Sequence, residues 1–305
     1  MPALSVVIPT WNRLAMLKQC VASLPPTADL EIIVVDDGST DGTREWLADQ
    51  PGIRTVLQSN AGPGPARNAG AVLASAPYLA FLDSDDLWFP WTLDTYRAVI
   101  ARTGAAFITA TPRFFESHDE LTLAHPPSAD KEVRWESFQD YLDSGDAWRW
   151  WGCSSFLIER SAFLAAGGFR DQHMNGEDAD LALRLGLARG FVHIQKPETF
   201  AYRRHSSGET GIHRHTLTGA LEMLDAERRG AYPGGDQRRR ERERIIGRHL
   251  RPIALACLVQ GNRDAAWTLY AALFRSQLRG ARWRFLFGFL WRFCLSHRPS
   301  RLPAS

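Results

Sequence analysis

The chain has 305 residues, of which 45% are apolar and 23% are charged. These proportions are ordinary for a globular protein and exclude general disorder, and the length suits one large α/β domain with or without an appendage. The formal net charge is only +2, but residues 275–305 contain seven arginines and no acidic residue. The preceding residues are therefore acidic on balance, and we expect no nucleic-acid partner.

The four cysteines are far apart and form no CxxC pair, which favours reduced thiols over a disulfide framework or a zinc site. Near Met1 the sequence lacks the basic segment and the long apolar segment of a secretory signal. It also lacks an uncharged apolar run of about 18 residues, which a membrane-spanning helix requires. We therefore expect a cytoplasmic protein that does not cross a membrane.

Short apolar runs alternate with amphipathic segments in the first third of the chain. The apolar runs lie at residues 4–10, 30–35, 53–59 and 78–83, and each has the length of a strand. The segments between them have helical spacing of apolar residues or open on a turn rich in glycine and proline. This alternation predicts an α/β fold with a mostly parallel sheet and helices on both faces.

The second half of the chain is less regular. We predict further strands in AAFITA, SSFLIER, FVHIQ and TFAYRRH. The segment EDADLALRLGLARG predicts a helix with Leu181, Leu185 and either Leu187 or Ala188 on its inner face and Gly190 as its C-cap. After residue 211 the pattern is helical, and the alternating Arg/Glu run at 238–244 is interpreted as a solvated helical face.

Polar residues gather where three of the predicted parallel strands end, at Pro9–Asn12, Asp36–Ser39 and Asp83–Asp86. Ligands of open parallel sheets bind outside the carboxyl ends of the strands, so the clusters predict one binding site. The carboxylates of the DSDD cluster repel one another, and a cation would stabilise them. Mg²⁺ and Mn²⁺ prefer such oxygen ligands and bridge phosphates, so we expect a divalent cation bound together with a diphosphate.

The sequence contains neither a GxGxxG motif after the first strand nor a P-loop. The loop AGPGPARNAG follows the third strand instead and carries Arg67 and Asn68. Contact with a base or ribose is one interpretation of this loop, and a turn that only precedes a helix is the other.

A second acidic group, Glu177, Asp178 and Asp180, lies in the segment NGEDADLALR. Carboxylates in the first turn of a helix are stabilised by the helix dipole, which is a structural explanation. A carboxylate beside a cleft can instead act as a general base. The spacing alone leaves both explanations open.

Five segments together resemble the family 2 glycosyltransferases with the GT-A fold. They are, in chain order, SVVIPTWNR, IIVVDDGSTDGT, NAGPGPARNAG, FLDSDDLW and GEDADLALR, and the resemblance covers roughly residues 4–205. It implies a Rossmann-like, mostly parallel sheet flanked by helices. The expected catalytic domain is residues 1–211, with a nucleotide-binding half at 1–110 and an acceptor-binding half at 111–211, and residues 212–305 form a helical extension.

The resemblance also implies a site for a nucleoside diphosphate sugar. The expected binding residues are Pro9, Trp11, Asn12, Asp37, Arg67, Asp83, Asp85 and His205. By the same resemblance, Asp37 accepts a hydrogen bond from the base and Arg67 helps to hold the base. Asp83 and Asp85 form a DxD pair, in which Asp85 ligates Mn²⁺ or Mg²⁺ directly and Asp83 lies near the metal and the ribose.

The reaction implied is transfer of the sugar to an acceptor hydroxyl with inversion at the anomeric carbon. Asp178 is expected to be the general base and Glu177 its neighbour on the acceptor side. UDP is the expected nucleotide, with dTDP and GDP as alternatives. The aromatic segment WRWWGCSS offers Trp150, Trp151 and Ser154 as acceptor-binding residues, although tryptophan is also a core residue.

The basic tail has two interpretations. The segment GARWRFLFGFLWRFCLSHR has an amphipathic pattern rich in Trp and Arg, which favours attachment to the inner face of a membrane and hence a lipid-linked or cell-envelope glycan acceptor. A C-terminal helix packed on the catalytic domain, with its arginines extending to water, is the alternative.

Two other functions are weighed against glycosyl transfer. A nucleotidyltransferase that makes sugar nucleotides needs a basic, glycine-rich loop after the first strand, and PTWNRLAML does not provide one. A non-catalytic sugar-nucleotide binder is expected to lack the DxD pair or the base, and both are present.

Overall fold

The structure is a computed structural model that describes residues 2–116, 132–171, 174–204 and 213–295. Helices cover both faces of a central sheet. The strands are β1 Leu4–Thr10, β2 Leu30–Asp36, β3 Ile53–Leu57, β4 Tyr78–Phe81, β5 Leu87–Trp88, β6 Phe107–Ala110, β7 Pro112–Phe115, β8 Arg134–Phe138, β9 Phe156–Glu159, β10 Phe191–Lys196 and β11 Phe200–Arg203. The helices are α1 Leu14–Ala22, α2 Thr43–Ala48, α3 Pro63–Leu73, α4 Thr92–Thr103, α5 Arg160–Ala165, α6 Glu177–Arg184, α7 His213–Arg228, α8 Arg239–Val259, α9 Arg263–Arg279 and α10 Trp283–Leu295.

The main sheet of the described residues has the strand order β3-β2-β1-β4-β9-β6-β10-β8. The first four strands are parallel to one another, which confirms the α/β prediction. The strand order reverses at β1, because β2 lies on one side of it and β4 on the other. A ligand site is expected outside the carboxyl ends of the strands at such a switch point.

The acidic DSDD segment connects two sheets. It leaves the end of β4 and leads into β5, which pairs with β11 in a small sheet of order β5-β11-β7. The chain must therefore turn sharply at Asp83–Asp86. This turn lies at the carboxyl end of β4, next to the end of its neighbour β1.

Helix α3 packs closely against the strands because its sequence has small residues where it crosses them. A side chain at Gly70 would place its Cβ 2.4 Å from Cγ1 of Val7 in β1. Asn68 fixes the other side of the helix, since its side chain donates to the carbonyl of Phe169 and accepts from the amide of the same residue at 2.8 Å each. Arg67 and Asn68, which were expected in a loop, therefore lie within α3, and the packing of this helix sets the position of Arg67.

The predicted end of α6 is wrong. The helix ends at Arg184. Beyond it Leu187 is exposed, whereas Ala188, the other candidate for the inner face, packs against the core. Gly190 instead precedes β10 with φ +73°, where its amide donates to the carbonyl of Gln139. A side chain at Gly190 would crowd Ala105 at 3.2 Å, so this glycine allows two loops to pack closely.

The C-terminal helices share a hydrophobic core with one face of the sheet. This core joins Phe107 and Phe191 of the sheet to Ile245, Leu269 and Phe289 of the helices. The interpretation of the Arg/Glu run as a solvated face is wrong at one position. Arg242 is buried, and its guanidinium pairs with Glu227 at 2.8 Å and 3.0 Å.

Helix α10 packs on its neighbours but keeps an aromatic outer face. Phe289 is buried and stacks on Tyr270 of α9 with the ring centroids 4.3 Å apart. Trp283, Phe287 and Trp291 point outward and are 49%, 66% and 69% exposed. Within the described ranges, no helix combines the length and apolarity needed to span a bilayer.

Candidate active site

A cleft of about 1220 Å³ opens at the carboxyl ends of β1, β2 and β4. It brings together most of the residues that the sequence predicted for the site: Pro9, Trp11, Asn12, Asp37, Arg67, Asp83, Asp85, Glu177 and Asp178. His205, which was also predicted, lies outside the described residues. The three strand-end clusters and the second acidic group therefore share one cavity, although they are up to 169 residues apart in sequence.

The wall formed by the β1–α1 loop is held by hydrogen bonds to the loop after β2. The amide of Asn12 donates to Oγ of Ser39 at 2.9 Å, and its side-chain carbonyl accepts from the amide of Thr40 at 2.8 Å. The amide of Leu14 donates to Asp41 at 2.9 Å. Asn12 adopts a positive φ of 51°, which asparagine tolerates better than most residues. These contacts fix the backbone on both sides of Arg13.

Asp37 lies at the floor of the cleft and is 4% exposed. Its carboxylate accepts from Nε2 of Gln58 at 2.7 Å and from the amides of Ala61 and Gly62 at 2.9 Å each. These bonds orient the carboxylate and attach the loop before α3 to the end of β2. The contact of Asp37 with a base stays a prediction.

Asp86 fixes the DSDD turn from behind. Its carboxylate is buried and accepts from Oγ of Ser154 at 2.6 Å and from the amide of Arg203 at 2.9 Å. Oγ of Ser154 also accepts from the amide of Asp83 at 3.0 Å. Burial raises the pKa of Asp86 well above its ordinary value, and the nearby Asp85 and Asp83 raise it further. Asp86 is therefore suited to position the turn, with Asp83 and Asp85 at its cleft side.

Arg67 joins the two acidic groups of the cleft. Its side chain is 5% exposed, and its guanidinium pairs with Asp83 at 2.6 Å and with Glu177 at 3.1 Å. It also lies over the ring of Phe169. A buried ion pair of this kind positions its partners strongly, because loss of one member leaves an uncompensated charge. The predicted contact of Arg67 with a base stays a prediction.

Asp178 has an environment that suits a base. Burial and the neighbouring Glu177 raise its pKa, a hydrogen bond from the amide of Ala179 and the charge of Arg67 lower it, and the net result is a pKa of about 7. A carboxylate with a pKa near neutrality is an efficient proton acceptor at neutral pH. The third acid of this group has a structural role instead: Asp180 is buried and pairs with Arg170 at 3.0 Å and with Arg184 at 2.9 Å.

Asp85 accepts hydrogen bonds from two arginines, Arg13 and Arg203, and the sequence did not predict this grouping. Its carboxylate accepts from Nη1 of Arg13 at 2.6 Å, and its backbone carbonyl accepts from Nε of Arg203 at 2.9 Å. Arg13 is the last residue of the segment SVVIPTWNR but was not predicted as a site residue, because no local pattern connects it to Asp85, 72 residues later. Arg204 also lines the cleft and lies over the ring of Phe114.

A divalent cation fits this donor set in part. Among the residues that the structure describes, no three His, Cys, Asp or Glu side chains converge as metal ligands. Mg²⁺ and Mn²⁺ often use only one or two protein carboxylates and complete their shell with phosphate oxygens and water. Asp85, with Asp83 two residues away, offers such oxygens at the edge of the cleft. The residues therefore suit a cation shared with a diphosphate.

Two of the three residues of the aromatic segment that were predicted to bind the acceptor are buried. Trp150 is 2% exposed, and its indole packs against Phe156 with the ring centroids 5.0 Å apart. Ser154 is buried and serves the DSDD turn, so neither residue is available to an acceptor. Trp151 is half-buried beside Phe114. The hydrophobic core is filled by large apolar side chains, and Trp150 is one of them.

Comparison with known protein families identifies one that matches this chain. The family described as "Glycosyl transferase family 2" matches residues 5–159, just over half of the chain. The chain belongs to glycosyl transferase family 2. The resemblance inferred from the five sequence segments is thereby confirmed.

Solved structures of other glycosyltransferases share the fold. S. aureus TarS 1–349 is similar with a TM-score of 0.63 at 18% identity, over 90% of this chain and 81% of that one. The mannosyltransferase PcManGT from Pyrobaculum calidifontis, in complex with GDP-Man and Mn²⁺, gives a TM-score of 0.52 at 17% identity, over 96% and 86% of the two chains. At such identities the likeness shows the GT-A fold alone.

Validoxylamine A glucosyltransferase from Streptomyces hygroscopicus subsp. jinggangensis (strain 5008) is 35% identical over 220 residues, which is 60% of this chain and 51% of that protein. Chondroitin synthase from Escherichia coli is 29% identical over 220 residues, or 68% of this chain and 29% of that protein. The chain thus spans about half the length of the first relative and less of the second.

The Arg67 bridge yields a test by double substitution. We expect Arg67→Met to lower the free energy of unfolding by about 3 kcal/mol, because it leaves Asp83 and Glu177 without their shared partner. Glu177→Gln in the same chain should recover part of this loss, since it removes one of the two unpaired charges. Urea denaturation measures both values.

Arg97→Met is the control, because Arg97 pairs with Asp29 at 2.9 Å where both side chains are nearly half exposed. Its effect should be below about 1 kcal/mol. Strictly additive losses for Arg67→Met and Glu177→Gln would contradict the bridge.

Proposed function

We propose that the chain is an inverting glycosyltransferase that moves a sugar from a nucleoside diphosphate sugar to an acceptor hydroxyl. The observation that carries the proposal is the joint presence of Asp178, with its pKa of about 7, and the Asp83/Asp85 pair in one cleft, connected by Arg67. A transferase of this kind needs a base for the acceptor and a binding site for the diphosphate. Candidate residues for both line one cavity here.

The donor is proposed to be a UDP-sugar. TarS 1–349 has a structure in complex with UDP-GlcNAc, and PcManGT one with GDP-Man, so both nucleotides occur on this fold. Pro9, Trp11 and Asn12 would line the nucleoside pocket, and Asp37 would accept from the base. Trp11 is 52% exposed at the cleft and thus available to a ligand.

Asp178 would take the proton of the acceptor hydroxyl as the new bond forms. In a single displacement the base must lie on the side opposite to the leaving diphosphate, so the anomeric configuration inverts. Glu177, held by Arg67, would keep the start of α6 in place and raise the basicity of its neighbour.

Asp85 and Asp83 would hold Mn²⁺ or Mg²⁺ together with the diphosphate. When bound, the cation supplies Lewis-acid stabilisation of the charge on the leaving group. The turn that presents these aspartates is fixed by Asp86, Ser154 and the amide of Arg203. We further propose residues 1–110 as the nucleotide-binding half and 111–211 as the acceptor-binding half.

A nucleotidyltransferase or a non-catalytic binder is less consistent with this cleft. The residues after β1 are held by the loop after β2 and contain no glycine-rich triphosphate cradle. A pure binder has no need for a carboxylate whose pKa is raised to about 7.

A panel of nucleotide sugars, each with Mn²⁺ or Mg²⁺ and scored for donor hydrolysis or transfer, tests the proposal. At least one donor should be consumed in a metal-dependent reaction, and Asp178→Asn should lower kcat by about 100- to 10,000-fold while nucleotide binding persists. Because Asp178 accepts a proton only when ionised, kcat/KM should rise with pH through about 7 and then level off.

Asp171→Asn is the matched control, since Asp171 is exposed on the preceding segment, and it should leave both the rate and the pH profile unchanged. Full activity of Asp178→Asn, or an unchanged rise with pH in that variant, would refute its role as the base.

We also propose that the outer face of α10 lies on an anionic membrane surface, which suits a lipid-linked or cell-envelope glycan acceptor. Trp283, Phe287 and Trp291 recur every four residues and form one exposed stripe. Arg284 and Arg292 are exposed on the same helix, and residues 275–305 contain no acid. Aromatic and basic residues in this arrangement favour the interface of anionic lipids. The protein would then be peripheral on the inner face of the membrane.

Vesicle flotation tests this attachment. The chain should float with phosphatidylglycerol-containing vesicles and much less with pure phosphatidylcholine, and replacing Trp283, Phe287 and Trp291 by Ser should lower the bound fraction at least about fivefold. The control replaces Val72 and Leu164 by Ser, since both are exposed on the catalytic domain. Equal binding of the two variants would contradict the proposal.

A further inference from the structure

Arg13 occupies the mouth of the cleft from a fixed backbone. Its Nη1 donates to Oδ2 of Asp85 at 2.6 Å, and the side chains of Arg13 and Asp85 are 27% and 13% exposed. The residues on either side, Asn12 and Leu14, are bonded through their amides to Ser39 and Asp41. The backbone is therefore held, whereas the long side chain of Arg13 reaches across to the DSDD turn with partial access to water.

The Asp85 turn does not depend on Arg13 for its shape. The carbonyl of Asp85 accepts from Nε of Arg203 at 2.9 Å, and the amide of Asp86 donates to the carbonyl of Asp83 at 2.9 Å. Asp86 is bonded to Ser154 behind the turn. The turn is thus fixed from its buried side, and the ion pair with Arg13 lies on the cleft side.

A divalent cation and a guanidinium compete for the carboxylate of Asp85. Both are positive, and at the few ångströms that separate two ligands of one carboxylate they repel each other. Binding of the cation to Asp85 therefore requires that Arg13 withdraw. A diphosphate that arrives with the cation offers the released guanidinium a new anionic partner, and arginine pairs well with phosphate oxygens.

We propose that Arg13 is a displaceable counter-ion of Asp85, which pairs with Asp85 until a cation and a nucleoside diphosphate bind and then turns to the diphosphate. This inference rests on the proposed function. It predicts that Arg13 weakens the binding of a cation alone and strengthens the binding of the nucleotide to the cation-loaded chain. Arg13 thereby makes cation and nucleotide binding mutually supportive, which is a coupling between two ligands.

The test is calorimetric titration of the full chain with Mn²⁺ alone, and with UDP or GDP in the presence of Mn²⁺. We expect Arg13→Gln to bind Mn²⁺ alone about tenfold more tightly, because the cation no longer displaces a charged hydrogen bond. Its Mn²⁺-saturated form should bind the nucleotide about tenfold more weakly, because the released guanidinium is missing. Adding Asp85→Asn to Arg13→Gln should abolish the gain in Mn²⁺ affinity.

Arg44→Gln is the matched control, since Arg44 is exposed on α2 and its loss changes the net charge equally. An unchanged Mn²⁺ affinity in Arg13→Gln, or the same gain in Arg44→Gln, would overturn the inference. Wild-type chain that binds Mn²⁺ neither alone nor with either nucleotide would instead refute the cation site of the proposed function, and the counter-ion role with it.

Discussion

The buried guanidinium of Arg67 is the contact on which the geometry of the cleft depends. It holds Asp83 of the DSDD turn and Glu177 of α6 at hydrogen-bond distance from one side chain. Its own place is set by α3, which can lie this close to β1 only because residue 70 is glycine. Packing of one helix on the sheet thus determines the relative positions of two acidic groups that are far apart in sequence.

The C-terminal helices also constrain the position of α6. A Cβ at Gly219 of α7 would lie 1.9 Å from the carbonyl oxygen of Asn175, so the helix presses directly on the loop before Asp178. The hydroxyl of Tyr232 donates to the buried Asp180 at 2.8 Å and ties α6 to the chain between α7 and α8. The C-terminal helices and the chain between them therefore support α6 and the loop before it.

Much of the parallel sheet and of the cleft could be predicted from sequence. Buried parallel strands appear as continuous apolar runs, and ligands bind outside their carboxyl ends at one edge of the sheet. The insertion of β9 between β4 and β6, antiparallel to both, could not be predicted, since strand pairing is set by tertiary packing. The burial of Trp150 and Arg242 and the pairing of Arg13 with Asp85 were not predicted for the same reason. Each depends on residues distant in sequence that no local pattern connects.

The central claim is a single displacement at the sugar, with Asp178 on one side and the leaving diphosphate on the other. ¹H NMR of the first product formed from an α-configured nucleotide sugar tests it most directly, through the coupling constant of the anomeric proton. The account predicts a β-linked product. An α-linked product would show retention and contradict the assignment of Asp178 as the base of a one-step transfer.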